Sequence, residues 1–248
     1  MRELLRQISE DPTNRLDTVL HLGAGACGEL DDYRRLQASR ILLVEANSKL
    51  AVQLQSAVAD LEGIEVMNAA VAATCGMADF WVINNPRESS LCKPTKLLDR
   101  NRNLVVTRMD SVQTVTLDQL IDQLKPEASS QNLLVAELQG AEQSVFSSAS
   151  PKALQRFFWI MLRSSAEALY ENAASLVEDD ITLRNLGFTP VAPLDDAPGL
   201  LFRELLYRRD AAEFSCLICG RWLKNTSKPS SHCASRWRVE PRYQPTSK

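Results

Sequence analysis

The stretch VLHLGAGACGE, residues 19–29, decides the fold of this chain. Three of the nine glycines in 248 residues lie there within six positions, at Gly23, Gly25 and Gly28. Such clustering in a glycine-poor sequence indicates a turn at which the backbone closely approaches a ligand or another segment. The spacing is G-x-G-x-x-G between a predicted strand and a predicted helix, which is typical of nucleotide-binding α/β proteins.

An acidic residue lies near the end of the next predicted strand. Glu45 follows Gly25 by twenty residues and belongs to the apolar run 41–46. A carboxylate at this place accepts hydrogen bonds from both hydroxyls of a ribose. The glycine loop and Glu45 therefore predict an adenosine cofactor. They leave open whether it is a nicotinamide dinucleotide, with its pyrophosphate on the helix N-terminus, or S-adenosylmethionine.

Apolar runs of strand length alternate with amphipathic runs of helical length from about residue 16 to residue 193. This alternation is typical of βαβ units, so it predicts an α/β fold with a mainly parallel sheet. The predicted strands are 16–22, 41–46, 64–67, 78–83, 133–138, 157–162 and 188–191. The predicted helices are 27–38, 48–61, 117–124 with Thr116 as N-cap, and 173–186. Residues 200–207 and 214–218 are predicted to pair as a terminal hairpin.

The composition is that of an ordinary globular protein. Hydrophobic residues make up 45% and charged residues 24%, which excludes disordered, collagen-like and coiled-coil chains. No apolar run approaches the ~18 residues of a membrane span, and the N-terminus does not look like a secretory signal, so we expect a cytoplasmic protein. The net charge of −3 combines a local charge of +6 in residues 221–248 with −9 in the rest, so only this tail could contact nucleic acid.

The six cysteines are too few and too scattered for a disulfide framework. Cys216 and Cys219 form a C-x-x-C pair, and His232 and Cys233 follow, which suggests zinc. Adjacent His and Cys residues do not easily bind one ion with a relaxed backbone, however. We therefore expect reduced thiols and no metal site.

Several segments together resemble the FkbM family of S-adenosylmethionine-dependent methyltransferases. In chain order they are VLHLGAGACGE (19–29), ILLVEAN (41–47), NAAVAATCGMADFWVINNPRESSL (68–91), TLDQLIDQL (116–124), LLVAELQGAEQSVF (133–146) and ALYENAASLVEDDITLRNLGF (168–188). The similarity covers about residues 16–208. It implies a class I methyltransferase (Rossmann-like) α/β fold, with a mostly parallel sheet and helices on both faces. We expect a helical lead-in at 1–15, the methyltransferase domain at 16–220 and a basic, flexible tail at 221–248.

The resemblance also implies the cofactor, S-adenosyl-L-methionine, and an oxygen of a sugar, a glycan or a small hydroxylated metabolite as methyl acceptor. By position, the implied cofactor-binding residues are Gly23, Ala24 and Gly25 at the methionine part, with Gly28 in the same loop, Glu45 at the ribose, and Asn68 and Ala69 near the adenine. The chain departs from the family at His21, where an Asp is usual. It departs again in the central segment 135–142, where a Lys is missing, an Asp is replaced by Glu137 and a Glu by Gln139.

Two acids that follow the predicted central strand, Glu137 and Glu142, are the predicted catalytic residues. At the carboxyl end of that strand, Glu137 would orient the methionine amino group or accept a proton from a substrate hydroxyl. The alternative for both acids is a structural role at a helix N-terminus. His21, with no acid partner recognisable in the sequence, is predicted to be a core or cleft histidine.

Two other functions stay open at this point. The altered central segment allows a protein that binds the cofactor without turnover. The glycine loop taken alone allows an NAD-dependent oxidoreductase.

Overall fold

The computed structural model describes residues 1–10, 15–192 and 200–209, together with the backbone of two short strands further on. The chain divides into two compact units, Met1–Arg209 and Asp210–Lys248. In the first unit, helix α1 (Arg2–Ser9) packs Leu5 and Ile8 onto the same core as the main sheet. The predicted boundary after residue 220 lies inside the second unit.

The elements of the first unit alternate as the sequence predicts. The helices after α1 are α2 (Leu30–Arg35), α3 (Ser48–Val58), α4 (Lys96–Arg100), α5 (Leu117–Leu124), α6 (Glu142–Ser148), α7 (Pro151–Leu154) and α8 (Leu176–Asn185). The strands are β1 (Leu16–Leu22), β2 (Arg40–Glu45), β3 (Ile64–Asn68), β4 (Ala70–Val71), β5 (Gly76–Ile83), β6 (Val106–Val115), β7 (Gln131–Ala136), β8 (Trp159–Ser165), β9 (Phe188–Pro190) and β10 (Phe202–Arg209). In the second unit, β11 (Phe214–Ser215) pairs antiparallel with β12 (Trp222–Leu223). No described helix is both long enough and apolar enough to span a bilayer.

The main sheet has seven strands in the order β3-β2-β1-β7-β8-β10-β9. From β3 to β8 all neighbours are parallel, whereas β10 is antiparallel to both β8 and β9. The chain builds outward from β1 to β3 and then returns to the other side of β1 with β7, so the direction of winding switches between β1 and β7. This is the class I methyltransferase arrangement, and the predicted fold class is confirmed.

Two cores cover the two faces of this sheet. Along β1, Val19 faces α1, α2 and α3, while its neighbours Leu20 and Leu22 face α5, α6 and α8. Successive side chains of a strand point to opposite faces, and a strand buried on both faces is apolar throughout. The continuous apolar runs therefore place helices on both sides of the sheet, as the sequence indicates.

The predicted bounds of α5 and the predicted end of α8 at Gly187 are confirmed, whereas α8 begins at Leu176, after its N-cap Ser175, and not at residue 173. The Thr116 side chain accepts from the N–H of Gln119, whose own side chain accepts from the N–H of Thr116. At the end of α8, Gly187 takes φ +85°, a left-handed conformation that ends a helix cheaply only when the residue is glycine. The predicted helix 27–38 shortens to α2, because the glycine loop continues as turns through residue 29.

The predicted terminal hairpin is wrong. β10 does not pair with β11; it inserts into the main sheet between β8 and β9, with Leu205 opposite Leu162. The apolar face of β10 is buried more completely against the sheet core than it could be in an isolated hairpin. β11 pairs with β12 instead.

A second, three-stranded sheet, β4-β6-β5, was not predicted as such. Its central strand β6 is ten residues long and has one buried residue, so it lacks an apolar periodicity that would reveal it. The chain leaving β5 turns through a short 3₁₀ helix, Pro86–Glu88, and returns to pair Trp81 with Ser90. This returning segment, 86–91, lies at the functional site described next.

Candidate functional site

A cavity of about 420 Å³ opens at the carboxyl ends of β1, β2 and β7. It lies at the point where the winding direction of the sheet switches, which is where open α/β sheets bind their ligands, and its volume is within the usual range for small-molecule sites. The predicted cofactor residues that line it are Gly23, Ala24, Gly25, Gly28, Glu45 and Ala69. The structure therefore brings together nearly all of the predicted cofactor set around one space.

The glycine loop passes directly over the backbone that follows β7. Gly23 has φ +74°, and a Cβ there would lie 2.1 Å from the carbonyl oxygen of Glu137, an impossible contact with backbone. Gly25 also has positive φ, +54°, but a Cβ there would meet nothing within 4 Å. Gly23 is thus required by the packing of the loop, whereas the space beside Gly25 is open.

Glu45 joins β2 to the glycine loop. Its Oε2 accepts from the Gly25 N–H and its Oε1 from the Asn47 N–H, both at 2.7 Å. The side chain is 6% exposed, and this burial raises its pKa against the opposing effect of these hydrogen bonds. Each carboxylate oxygen has a second lone pair, so the acid can still accept from a ribose hydroxyl while it holds the loop.

Asn68 and Ala69, predicted together near the adenine, occupy different places. The Asn68 side-chain amide donates to the carbonyl oxygens of Glu45 and Ala46, at 2.8 and 3.2 Å, and the residue does not line the cavity. Ala69 lines it directly, beside apolar Leu50. Asn68 therefore supports the wall from outside, and its predicted contact with the cofactor has no support from its position.

Glu137 lies in the cavity between two cations. Its Oε2 accepts from Arg87 Nε and Nη2 at 3.3 and 3.0 Å, and its Oε1 is 3.7 Å from His21 Nε2. Burial alone would raise the pKa of this carboxyl, but His21 and then Arg87 outweigh burial and lower the pKa to about 2. Glu137 is thus a permanent negative charge near neutral pH, and a carboxylate with such a low pKa is a poor general base.

His21 has the acid partner that the sequence did not reveal. The imidazole is fully buried under the glycine loop, with Nδ1 3.1 Å from the Tyr33 hydroxyl and 3.9 Å from Cys27 Sγ. Burial opposes the charged form, but Cys27 and Glu137 outweigh it and raise the pKa of His21 to about 10. His21 is therefore a core histidine, as predicted, but one that carries a charge opposite Glu137.

Glu142, predicted to be catalytic, is fully engaged in the turn that follows β7. Its Oε1 accepts from the Leu138 N–H and its Oε2 from the Gly140 N–H, both at 2.7 Å. The residue is buried at the start of α6 and does not line the cavity. We therefore replace the predicted catalytic role with the structural alternative: Glu142 fixes the turn that presents Glu137 and Gln139.

The buried acids make stability depend on pH. Burial, and then the charge of Asp179, raise the pKa of Glu142 from 4.5 to about 7, and burial raises the pKa of Asp179 from 3.8 to about 6. Between these ordinary and raised values the native state binds more protons than the unfolded state, so stability falls as pH rises. We expect the free energy of unfolding to drop by about 1 to 3 kcal/mol between pH 5 and pH 8.

Urea unfolding at the two pH values checks this expectation. The variant Glu142→Gln removes one of the two titrations, so its stability should change less over the same interval. His21 acts in the same direction above pH 6.5, because a base with a raised native pKa loses its stabilising proton as pH rises. Stability that rises from pH 5 to pH 8 would contradict the assignment.

Sequence reasoning missed the segment 86–91 as part of the site. Arg87 projects from its 3₁₀ turn to Glu137, and its carbonyl oxygen accepts from the Gln139 side-chain amide at 2.7 Å. Ser90 Oγ donates to the Gln139 carbonyl at 2.8 Å. The only sequence signal was NNPRESSL, quoted for the family resemblance without a role for its arginine. The contact joins residues fifty positions apart, which no local pattern reveals.

Among the described residues, no group of three or more His, Cys, Asp or Glu side chains could hold a metal ion. Cys216, Cys219, His232 and Cys233, together with the side chains of the predicted basic tail, lie outside the described residues. The described cysteines Cys27, Cys75 and Cys92 are free thiols.

No protein-family model and no curated protein matches this sequence. The FkbM resemblance therefore stays a prediction.

Solved structures with a similar fold do exist. Fibrillarin from Aeropyrum pernix, with natively bound S-adenosyl-L-methionine, is 16% identical over 84% of this chain and 72% of its own, with a TM-score of 0.42. Magnesium protoporphyrin IX methyltransferase from Synechocystis PCC 6803, with bound SAM, is 9% identical over 84% and 77%, with a TM-score of 0.41. The ribosomal protein L11 methylase from Lactobacillus delbrueckii subsp. bulgaricus is 11% identical over the same shares, with a TM-score of 0.42. These structures are similar to this chain in fold, and the activity of this chain has to be inferred from its own site.

Proposed function

We propose that this protein is an S-adenosylmethionine-dependent methyltransferase whose cofactor cavity is the one at the carboxyl ends of β1, β2 and β7. One observation carries the proposal: the glycine loop, the β2 acid Glu45 and the charged pair of Glu137 and Arg87 surround a single cavity. The acceptor is an oxygen of a sugar, a glycan or a small hydroxylated metabolite. This choice of acceptor follows from the resemblance to the FkbM family.

The lining of the cavity fits the parts of this cofactor in order. Glu45 offers carboxylate lone pairs to ribose hydroxyls. Apolar Leu50, Ala69 and Phe80 offer a surface for an adenine ring. Under this proposal, S-adenosylmethionine supplies an electrophilic methyl group when bound.

The methionine end of the cofactor is zwitterionic, and the opposite end of the cavity carries both complementary charges. Glu137 would accept from the ammonium, and Arg87, whose side chain is 51% exposed, would donate to the carboxylate. In the structure Arg87 Nη2 donates to Glu137 Oε2 at 3.0 Å, so the two complementary charges lie side by side. The pair therefore suits a zwitterion better than the pyrophosphate of NAD, whose negative charges the Glu137 carboxylate would repel.

The protein's contribution to the reaction is mainly positioning. The glycine loop fixes one side of the cofactor space, and the turn held by Glu142 fixes the other, so the reacting groups are held in a defined relation. Glu137, with its low pKa, orients charge and does not remove a proton. Glu137 is already held by Arg87 and His21. This observation also favours the second candidate function, a protein that binds the cofactor without turnover.

Calorimetry with S-adenosylmethionine, S-adenosylhomocysteine and NAD, run in parallel on the full chain, tests the cofactor. We expect both adenosyl ligands to bind and NAD not to bind. Binding of NAD alone would overturn the proposal in favour of an oxidoreductase. Transfer of an isotope-labelled methyl group to a panel of sugars and hydroxylated metabolites then separates the enzyme from the binding protein.

Replacing Glu45 with alanine should weaken S-adenosylmethionine binding. The change removes charge-assisted hydrogen bonds worth roughly 1.5 to 3 kcal/mol, or about 10-fold to 150-fold in dissociation constant. It also frees the Gly25 N–H from its anchor. Calorimetry measures the effect, with Glu65→Gln as control, since Glu65 is an exposed acid on neighbouring β3. An unchanged dissociation constant would place the ribose elsewhere.

A further inference from the structure

We propose that a second cavity, beside the cofactor cavity, binds an oxyanion group of the methyl acceptor, and that Arg163 is the principal residue that recognises it. The inference rests on the proposed function, because it names the class of acceptor that the methyltransferase would use. The acceptor would be a hydroxylated small molecule that carries a phosphate or a carboxylate.

The second cavity measures about 710 Å³ and adjoins the first. Arg87 lines both cavities, so a molecule in the second space lies next to the methionine end of the first. The second cavity borders Arg163, near the end of β8, and the first residues of antiparallel β10. It is therefore at the same carboxyl edge of the sheet as the cofactor cavity, on the side away from β2.

Arg163 is a buried cation with unused hydrogen-bonding capacity. It lines the second cavity and is only 7% exposed. Its Nη2 donates to Glu88 Oε1 at 3.0 Å, whereas Nη1 has no hydrogen-bond partner among the described residues. A buried donor without an acceptor is costly, so such groups usually mark a place that a ligand or water completes.

The guanidinium of Arg163 is also held rigidly. Its Cζ lies 3.6 Å from the centroid of the Phe202 ring, and its Nη2 is held by the hydrogen bond to Glu88 Oε1. Tyr170 in turn donates its hydroxyl hydrogen to the Glu88 carbonyl at 2.9 Å. A planar guanidinium that is already fixed loses little entropy when it binds, and its geometry matches two oxygens of a phosphate or a carboxylate.

The charged side chains that line the second cavity are three arginines and one acid: Arg87, Arg163, Arg203 and Glu204. Arg163 pairs with Glu88 and Arg87 with Glu137, both at 3.0 Å, so an anion here would be a second charge-assisted partner of Arg163 beside Glu88. Glu204 is itself paired with Arg87, at 3.2 Å. Apart from Gln7, the other described side chains of the wall are apolar, and an apolar wall strengthens the attraction between a guanidinium and an oxyanion.

Binding of three matched probes tests the proposal: glucose 6-phosphate, glucuronic acid and glucose. Calorimetry on the full chain, with and without S-adenosylhomocysteine, should show binding of one or both anionic sugars and none of glucose. Comparison of glucose 6-phosphate with glucuronic acid shows whether the site prefers a phosphate or a carboxylate. Equal binding of glucose, or no measurable binding of either anionic probe, would overturn the proposal.

Variants of Arg163 then assign the contact. Arg163→Met alone would leave Glu88 as a buried unpaired charge, so the double variant Arg163→Met/Glu88→Gln is used, with Glu88→Gln as its matched control. The double variant should bind the anionic probe about 10-fold to 150-fold more weakly than Glu88→Gln does, because the two proteins differ only in the Arg163 guanidinium.

Two further measurements keep the outcomes separate. The affinity of the double variant for S-adenosylhomocysteine should be unchanged, which shows that the variant is folded. Unaltered affinity for the anionic probe would overturn the role of Arg163. If the wild-type chain binds no adenosyl ligand but still binds the anion through Arg163, the proposed function fails while the anion site stands.

Discussion

Replacing Gly23 with alanine is expected to abolish cofactor binding and to destabilise the first unit by about 3 kcal/mol or more. Left-handed backbone costs a non-glycine residue roughly 1 to 2 kcal/mol. At this position the new Cβ would also lie 2.1 Å from the Glu137 carbonyl oxygen. Neither backbone segment can shift easily, because the Gly23 N–H donates to the Val44 carbonyl and the Glu137 N–H donates to the Leu22 carbonyl.

Gly25→Ala provides the matched control for this result. It has the same kind of positive φ, but its Cβ would point into space with nothing within 4 Å, so only the conformational cost of about 1 to 2 kcal/mol applies. We expect this variant to fold and to bind the cofactor more weakly. Urea unfolding and calorimetry on both variants distinguish the two effects. Equal stability of the two variants would show that the loop can move away from Glu137.

The sheet was predictable because its central strands are buried on both faces. Such strands appear in the sequence as unbroken apolar runs, and the predicted 16–22 coincides with β1. α5 was predictable for a different reason: Thr116 and Gln119 form a capping box that is local in sequence. Both signals are contained in fewer than ten consecutive residues, so no knowledge of distant contacts was needed.

β6 and β10 show where this kind of reasoning fails. Only Thr114 of β6 is buried, so the strand is defined by its hydrogen bonds to β5 and not by an apolar pattern. β10 was predicted as a strand, but the choice between β11 and β8 as its partner depends on which pairing buries more surface. That comparison requires the three-dimensional core.

The cofactor loop could be predicted from the sequence, whereas the charged surroundings of Glu137 could not. Gly23, Gly25 and Glu45 follow a spacing fixed by one βαβ unit, so the sequence alone predicted their convergence. The partners of Glu137 come from elsewhere: Arg87 from the segment after β5, and His21 from inside β1. Because both partners are distant in sequence, reasoning from Glu137 alone left two roles open, a contact with the methionine amino group and a general base, and the cations beside Glu137 disfavour the second.

Replacing Glu137 with glutamine is expected to weaken S-adenosylmethionine binding by about 10-fold to 150-fold, because a charge-assisted contact with the ammonium is lost. The rate at saturating cofactor should fall by less than about 10-fold. Loss of a general base would instead lower that rate by about 10²-fold to 10⁴-fold and leave affinity nearly unchanged. Calorimetry and isotope-labelled methyl transfer, with the exposed acid variant Glu127→Gln as control, measure both quantities.

The same substitution has a second readout that is independent of any acceptor. Glu137 is one of the two groups that raise the pKa of His21, so its removal lowers that pKa and brings the imidazole closer to titrating near neutrality. Nitrogen-15 NMR of the His21 ring reports this directly: the wild-type ring should stay protonated at pH 8, and the variant ring should lose its proton at lower pH than the wild type. If the two rings titrate alike, His21 and Glu137 are not coupled. A wild-type rate and affinity in the variant would then leave Glu137 no part in the site.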